Sequence, residues 1–119
     1  MAAPNLKNPT TITGKTARYA VTDSLANALA NSAASGKVLK INSIFCANVD
    51  GTNAADISVS IYNGTTDFYL AKTLTVPAEA TQIISSKDTY FYLEEGDSLR
   101  AVATTASGVV LVVGYEEIS

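Results

Sequence analysis

The chain has no histidine and no tryptophan, and one cysteine among its 119 residues. Without histidine there is no Ser-His-Asp or Cys-His catalysis, no histidine zinc ligand and no imidazole pH switch. A lone cysteine, Cys46, excludes an intrachain disulfide and any multi-cysteine metal site. Charge is scarce: 16% of residues are charged, against about 25% in an average soluble domain. The balance is acidic, with a net charge of -3, so the cationic surplus that neutralises phosphates is missing and no nucleic-acid partner is expected. Long apolar runs are also missing. Val109-Val110-Leu111-Val112-Val113 falls far short of the about 20 residues of a membrane helix, so no membrane partner is expected. The opening Met1-Ala2-Ala3-Pro4-Asn5-Leu6-Lys7 lacks the basic-then-apolar order of a signal peptide. Synthesis in a reducing cytoplasm, with Cys46 kept as a thiol, is the expectation, and Asn63-Gly64-Thr65 reads as a turn rather than a glycosylation site.

What is present is hydrophobic, 47% of the chain, and it alternates. Ile57, Val59 and Ile61 recur every second residue with Ser58 and Ser60 between them, which is the period of a half-buried strand. Asp67 to Val76 continues the pattern, predicting Phe68, Leu70, Leu74 and Val76 on one face. Leu99, Ala101 and Ala103 do the same. Between Lys37 and Ala47, alternation places Leu39, Ile41, Phe45 and Ala47 on one face and Lys40, Asn42, Ile44 and Cys46 on the other. Gly108 to Ile118 begins apolar on both faces, which predicts a central or interface-covered strand.

Turn signals separate these runs at short intervals: Asp50-Gly51-Thr52-Asn53, Asn63-Gly64-Thr65-Thr66, Pro77-Ala78-Glu79-Ala80, Glu94-Glu95-Gly96-Asp97 and Ser107-Gly108. Glycine supplies the positive φ of tight turns, and proline cannot donate to a ladder. Many short strands at such spacing predict an all-β protein, a single antiparallel β-sandwich of jelly-roll type. Residues 23–31 stay open between helix and strand. Ala content and a possible Asp23 or Ser24 cap suit a helix, and the surrounding strands favour a strand. The first residues, with Pro4 and Pro9, read as an extended arm. The expected division is an arm over residues 1–15 and a sandwich over residues 16–119.

Candidate chemistry is thin. Gly14-Lys15-Thr16 resembles the end of a phosphate-binding loop, but Pro9 stands where that motif requires glycine. Asp50, Asn53 and Asp56 offer oxygens to a cation, although their spacing is not that of a calcium loop and suits a hairpin. Glu94-Glu95 and Glu116-Glu117 are adjacent pairs that point to opposite faces of a strand, so neither can straddle a substrate. Lys72 stands on an apolar face and can snorkel to an edge. Cys46 reads as a small hydrophobe. No catalytic residue, cofactor or metal site is expected.

The informative side chains are tyrosines, which suit protein interfaces because one end is apolar and the other hydrogen-bonds. Tyr62, Tyr69, Tyr90 and Tyr115 are the candidate interface residues. Tyr62 and Tyr69 are out of phase with their strands' core positions and so predicted to face outward. Low surface charge, open sheet edges and an arm together favour a subunit of a homo-oligomer or larger assembly. Tyr62, Tyr69 and Tyr90, with Asp50 and Asn53, could alternatively form the platform of a carbohydrate-binding module.

Three stretches add a resemblance. Asn42-Ser43-Ile44-Phe45-Cys46-Ala47-Asn48-Val49-Asp50-Gly51-Thr52-Asn53-Ala54-Ala55-Asp56-Ile57 resembles small virion structural proteins of tailed bacteriophages, especially marine and cyanobacterial phages. So do the end, Tyr92 to Leu99 through Gly114 to Ser119, and the opening, Ala2 to Leu6 and Pro9 to Lys15. The resemblance implies a non-enzymatic protein located in the virion and present in many copies. Its partners would be the major capsid protein or other virion proteins. A capsid decoration (cement) protein on the head exterior is the favoured station, and a neck, tail or baseplate adaptor is the alternative. The resemblance carries no site residues.

Overall fold

The computed structural model describes residues 4, 6–104 and 108–119. The expected Ser107-Gly108 turn and the start of the expected arm therefore lie partly outside the described residues. Among the described residues nine strands form: β1 Ile12–Ala20, β2 Ala26–Ala30, β3 Val38–Asn48, β4 Ala55–Tyr62, β5 Asp67–Val76, β6 Thr81–Ser85, β7 Phe91–Leu93, β8 Ser98–Ala103 and β9 Val109–Ile118. One 3-10 turn, Lys87–Thr89, separates β6 from β7. The open segment 23–31 contains a strand, β2.

All pairings are antiparallel and they nest. β4 pairs β5, β3 pairs both β6 and β7, β2 pairs β8, and β1 pairs β9. A long hairpin folded over in this way yields two sheets, ordered β1-β9-β3-β6 (with β7 also on β3) and β2-β8-β4-β5. That is the winding of a jelly roll, with β6 and β7 sharing the place of one strand. Asn63-Gly64 makes the innermost turn: Asn63 Oδ1 accepts the N–H groups of Thr65 and Thr66, and Gly64 sits at φ 96.

The core fills the space between the sheets. Ile41, Ile44, Ile57, Val59, Leu93, Leu99, Leu111 and Val113 are fully buried, each contributing about 1.5–3 kcal/mol relative to exposure. Two buried asparagines tie loops to this core at opposite ends. Asn31 Nδ2 donates to the carbonyls of Lys37 and Leu93. Asn48 Nδ2 donates to those of Asn53 and Val76.

Strand β3 departs from simple alternation. Its register against β9 slips between Ile41 and Ser43, and this bulge inverts the faces beyond it. Ile44 and Cys46 turn inward to full burial, and Phe45 turns outward to 37% exposure. The expected grouping of Phe45 and Ala47 with Leu39 and Ile41 is thereby corrected. Gly114 permits the close approach here, since a Cβ on it would lie 2.9 Å from Ser43 Oγ. A second correction concerns β5. Leu74 and Val76 pack inward as expected, but Phe68 and Leu70 are 58% and 40% exposed. β5 is an edge strand, and the facing sheet's edge is interrupted between β6 and β7.

The structured part of the N-terminal region reaches further back than residue 16. β1 starts at Ile12, and Thr11 exchanges backbone hydrogen bonds with Ser119.

Candidate assembly surface

The bulge in β3 creates the most conspicuous surface feature. On the outer face of the first sheet, Val112 of β9, Phe45 of β3 and Ile83 of β6 stand side by side across three strands. Arg18 of β1 ends this row. The next row holds Ala20, Val110, Ala47 and Thr81. Ile83 is 55% exposed, and Val49, just past β3, is also exposed. The result is an apolar patch with Arg18 at one rim, while Lys40 and Glu116, opposite one another, stand on the same side of the sheet toward the start of β3. Contiguous exposed apolar area of this kind marks interaction surfaces on soluble proteins.

Tyr90 lies toward the same face. Its ring is under Lys40 Nζ at 4.4 Å and meets Tyr92 edge-on at 5.9 Å. Tyr62 and Tyr69 are brought together on the outer face of the other sheet. Tyr69 stands opposite Ser60, and Tyr62 opposite Asp67. Asp67 Oδ1 accepts the Ser60 hydroxyl at 2.8 Å and lies 3.6 Å from Arg100 Nε. The Arg100 guanidinium covers the Tyr62 ring at 4.2 Å, and Lys72 Nζ covers the Tyr69 ring at 4.2 Å. Cation–π contacts thus occupy one face of each ring. Tyr115 lies apart from these three. It packs against the core and lines a cleft of about 150 Å³ with Leu29, Asn31, Ser35, Lys37 and Glu117.

Glu117 anchors that cleft. Lys15 of β1 and Lys37, just before β3, both form ion pairs with its carboxylate. Hydrogen bonds from Lys15 and then Lys37 hold its carboxyl below the usual glutamate range, while Glu117 raises the Lys15 ammonium above its own. The three charges clasp the ends of β1, β9 and β3 together.

The oxygens considered for a cation are engaged separately. Asp50 Oδ1 accepts the N–H groups of Thr52 and Asn53, which lowers its pKa. Asp56 accepts the Thr75 hydroxyl. Among the described residues no three Asp, Glu or Cys side chains gather into a potential metal site. Cys46 is fully buried, and burial pushes its thiol up to about 11.

Of the expected interface residues, Tyr90 shares a side with the apolar face, Tyr62 and Tyr69 form a separate cluster, and Tyr115 points between the sheets. Phe45, Ile83 and Val49 were missed. Ile83 and Val49 lie outside the clear alternating runs, and no turn residue announces the bulge that exposes Phe45. The two-sided apolar start of β9 agrees with its central place between β1 and β3, which puts Val110 and Val112 on the outer face.

No protein-family model matches the chain, and no curated protein matches it. Among the solved structures similar to it are two of a pentameric capsid protein isolated from metagenomic phage sequences, one of them solved by iodide SAD phasing. Each is 18% identical over 87% of this chain, with a TM-score of 0.44. The chain spans 59% of one and 62% of the other.

Proposed function

We propose that this chain is a non-enzymatic structural protein of a tailed-phage virion, bound in many copies to the head exterior as a capsid decoration protein. The apolar outer face built by Val112, Phe45 and Ile83 carries the reading. A rigid sandwich with an apolar patch on one face adheres by shape and desolvation and needs no reacting group. At about 25 cal/mol per Å² of apolar area, one such contact is modest. Repetition over a lattice multiplies it. The sequence resemblance to virion proteins supports the same reading, and the segment before β1 is assigned as an arm that reaches a neighbouring subunit. Sugar stacking on the tyrosines is disfavoured by the cations already seated over Tyr62 and Tyr69.

The test is the copy number of this protein relative to the major capsid protein in purified particles, measured by quantitative mass spectrometry, together with Phe45→Asp. A ratio near that of a full surface lattice, and a folded Phe45→Asp protein that no longer decorates particles, are expected. A few copies per capsid would move the protein to the neck, tail or baseplate. Absence from clean particles would remove the virion reading.

A further inference from the structure

A jelly roll has four open edges, and here they are not alike. β5 carries two register irregularities against β4, a left-handed Thr73 at φ 53, and Lys72. β2 has five residues and a slip against β8. The β6 and β7 edge is cut by the 3-10 turn and slips against β3. Bulges, short strands and edge lysines are how sheets prevent unwanted pairing. β1 is long and has no bulge, and of its two charges Lys15 is paired with Glu117 while Arg18 stands toward the far end. Its nine residues pair β9 in nine consecutive steps with no irregularity, and Ile12 to Thr16 are all exposed. An edge strand leaves alternate backbone N–H and C=O groups without ladder partners, so β1 offers a long, straight template for another strand.

We propose that β1 pairs with β1 of a second copy, antiparallel, about a two-fold axis through Thr16. Thr16 is the middle residue of Ile12–Ala20, so this register uses the whole strand. It places Ile12 opposite the partner subunit's Ala20, Thr13 opposite the partner's Tyr19, Gly14 opposite the partner's Arg18 and Lys15 opposite the partner's Ala17. No like charges face each other, and Lys15 is already neutralised by Glu117. Shifting the axis to Lys15 would set two lysines opposite one another. A two-fold perpendicular to the sheet keeps inner faces inner and outer faces outer. The apolar face of one copy therefore runs on, through Arg18, toward that of the next, and the paired unit presents a doubled adhesive surface. The inference rests on the multi-copy reading and adds the contact by which two copies join.

Thr16→Cys tests the axis directly. Residues facing across an antiparallel pair have Cα atoms about 4.5 or 5.5 Å apart, both within disulfide reach. Cys46 is buried and stays out of the reaction. Under mild oxidation, Thr16→Cys should give a disulfide-linked dimer, whereas Thr65→Cys on the exposed β4–β5 turn should not. Thr16→Lys, which sets two ammonium groups face to face, should weaken dimerisation by roughly tenfold or more in sedimentation equilibrium without lowering the melting temperature of the monomer. A monomer at every concentration, or equal cross-linking of the two cysteine variants, would overturn the β1 contact. Particle binding by such a monomer through the Phe45 face would leave the decoration reading standing.

Discussion

At the scale of single residues, neighbours in sequence have opposite fates wherever the backbone slips. Ile44 is fully buried and Phe45 is 37% exposed, although simple alternation from Leu39 and Ile41 reverses them. Ile44→Ala should cost about 2–5 kcal/mol, the range for emptying a packed aliphatic site. Phe45→Ala should cost less, about 1 kcal/mol, because over a third of the side chain already meets solvent and its removal leaves no enclosed cavity. Equilibrium denaturation of both variants reads the register of β3 without a new structure. A reversed order would mean that the bulge at Asn42 is absent and Phe45 is core. The residue scale is also where the sequence was least legible. A bulge is set by the fit of three strands around Gly114 and Ser43, and neither residue announces it alone. By contrast, Ile57 and Val59, on β4, read correctly because their alternation is uninterrupted through that point.

Elements were more legible than faces. Turn chemistry at Asn63-Gly64 and Asp50-Gly51 marked where strands end, and Asn63 and Asp50 indeed accept the backbone N–H groups of their own turns. What the sequence could not show is how β1, β9 and β3 are held at their shared end, because Lys15, Lys37 and Glu117 are far apart in the chain. The clasp has a definite pH signature. Glu117 has a folded pKa below its ordinary 4.5. Its contribution to stability is therefore complete above that value and declines as pH falls through the lowered folded one. Lys15, raised from 10.5, contributes fully below 10.5 and loses its share as pH rises through the raised folded value. Between these limits the clasp is intact. Glu117→Gln should lower the melting temperature at neutral pH and flatten the loss seen on acidification. High salt should shrink the difference, since the lysines are partly exposed. Parallel melting curves of the two proteins from neutral to strongly acidic pH would show that the clasp contributes nothing.

For the whole molecule, the nested order of pairings makes the two ends of the chain partners. β1 and β9 close the roll last in sequence separation, so the N-terminal segment is both structural and available at an edge. The boundary matters for any truncation. Ile12 to Lys15 pair Ile118 to Tyr115, and Lys15 belongs to the clasp. Deleting residues 1–15 therefore removes four of the nine steps of the β1–β9 ladder as well as one ion pair. It should lower the melting temperature by several degrees, as a loss of about 1–2 kcal/mol does for a domain of this size. Stopping the deletion at residue 6 spares Lys7, the ladder and the Thr11–Ser119 exchange. That shorter variant should melt like the intact chain while binding particles more weakly, which separates the arm's contact with a neighbour from its own fold. Equal melting temperatures for both truncations would mean that the first half of β1 adds nothing to the sandwich. The strand would then be an arm docked on the sheet, free to exchange its place with the β1 of another copy.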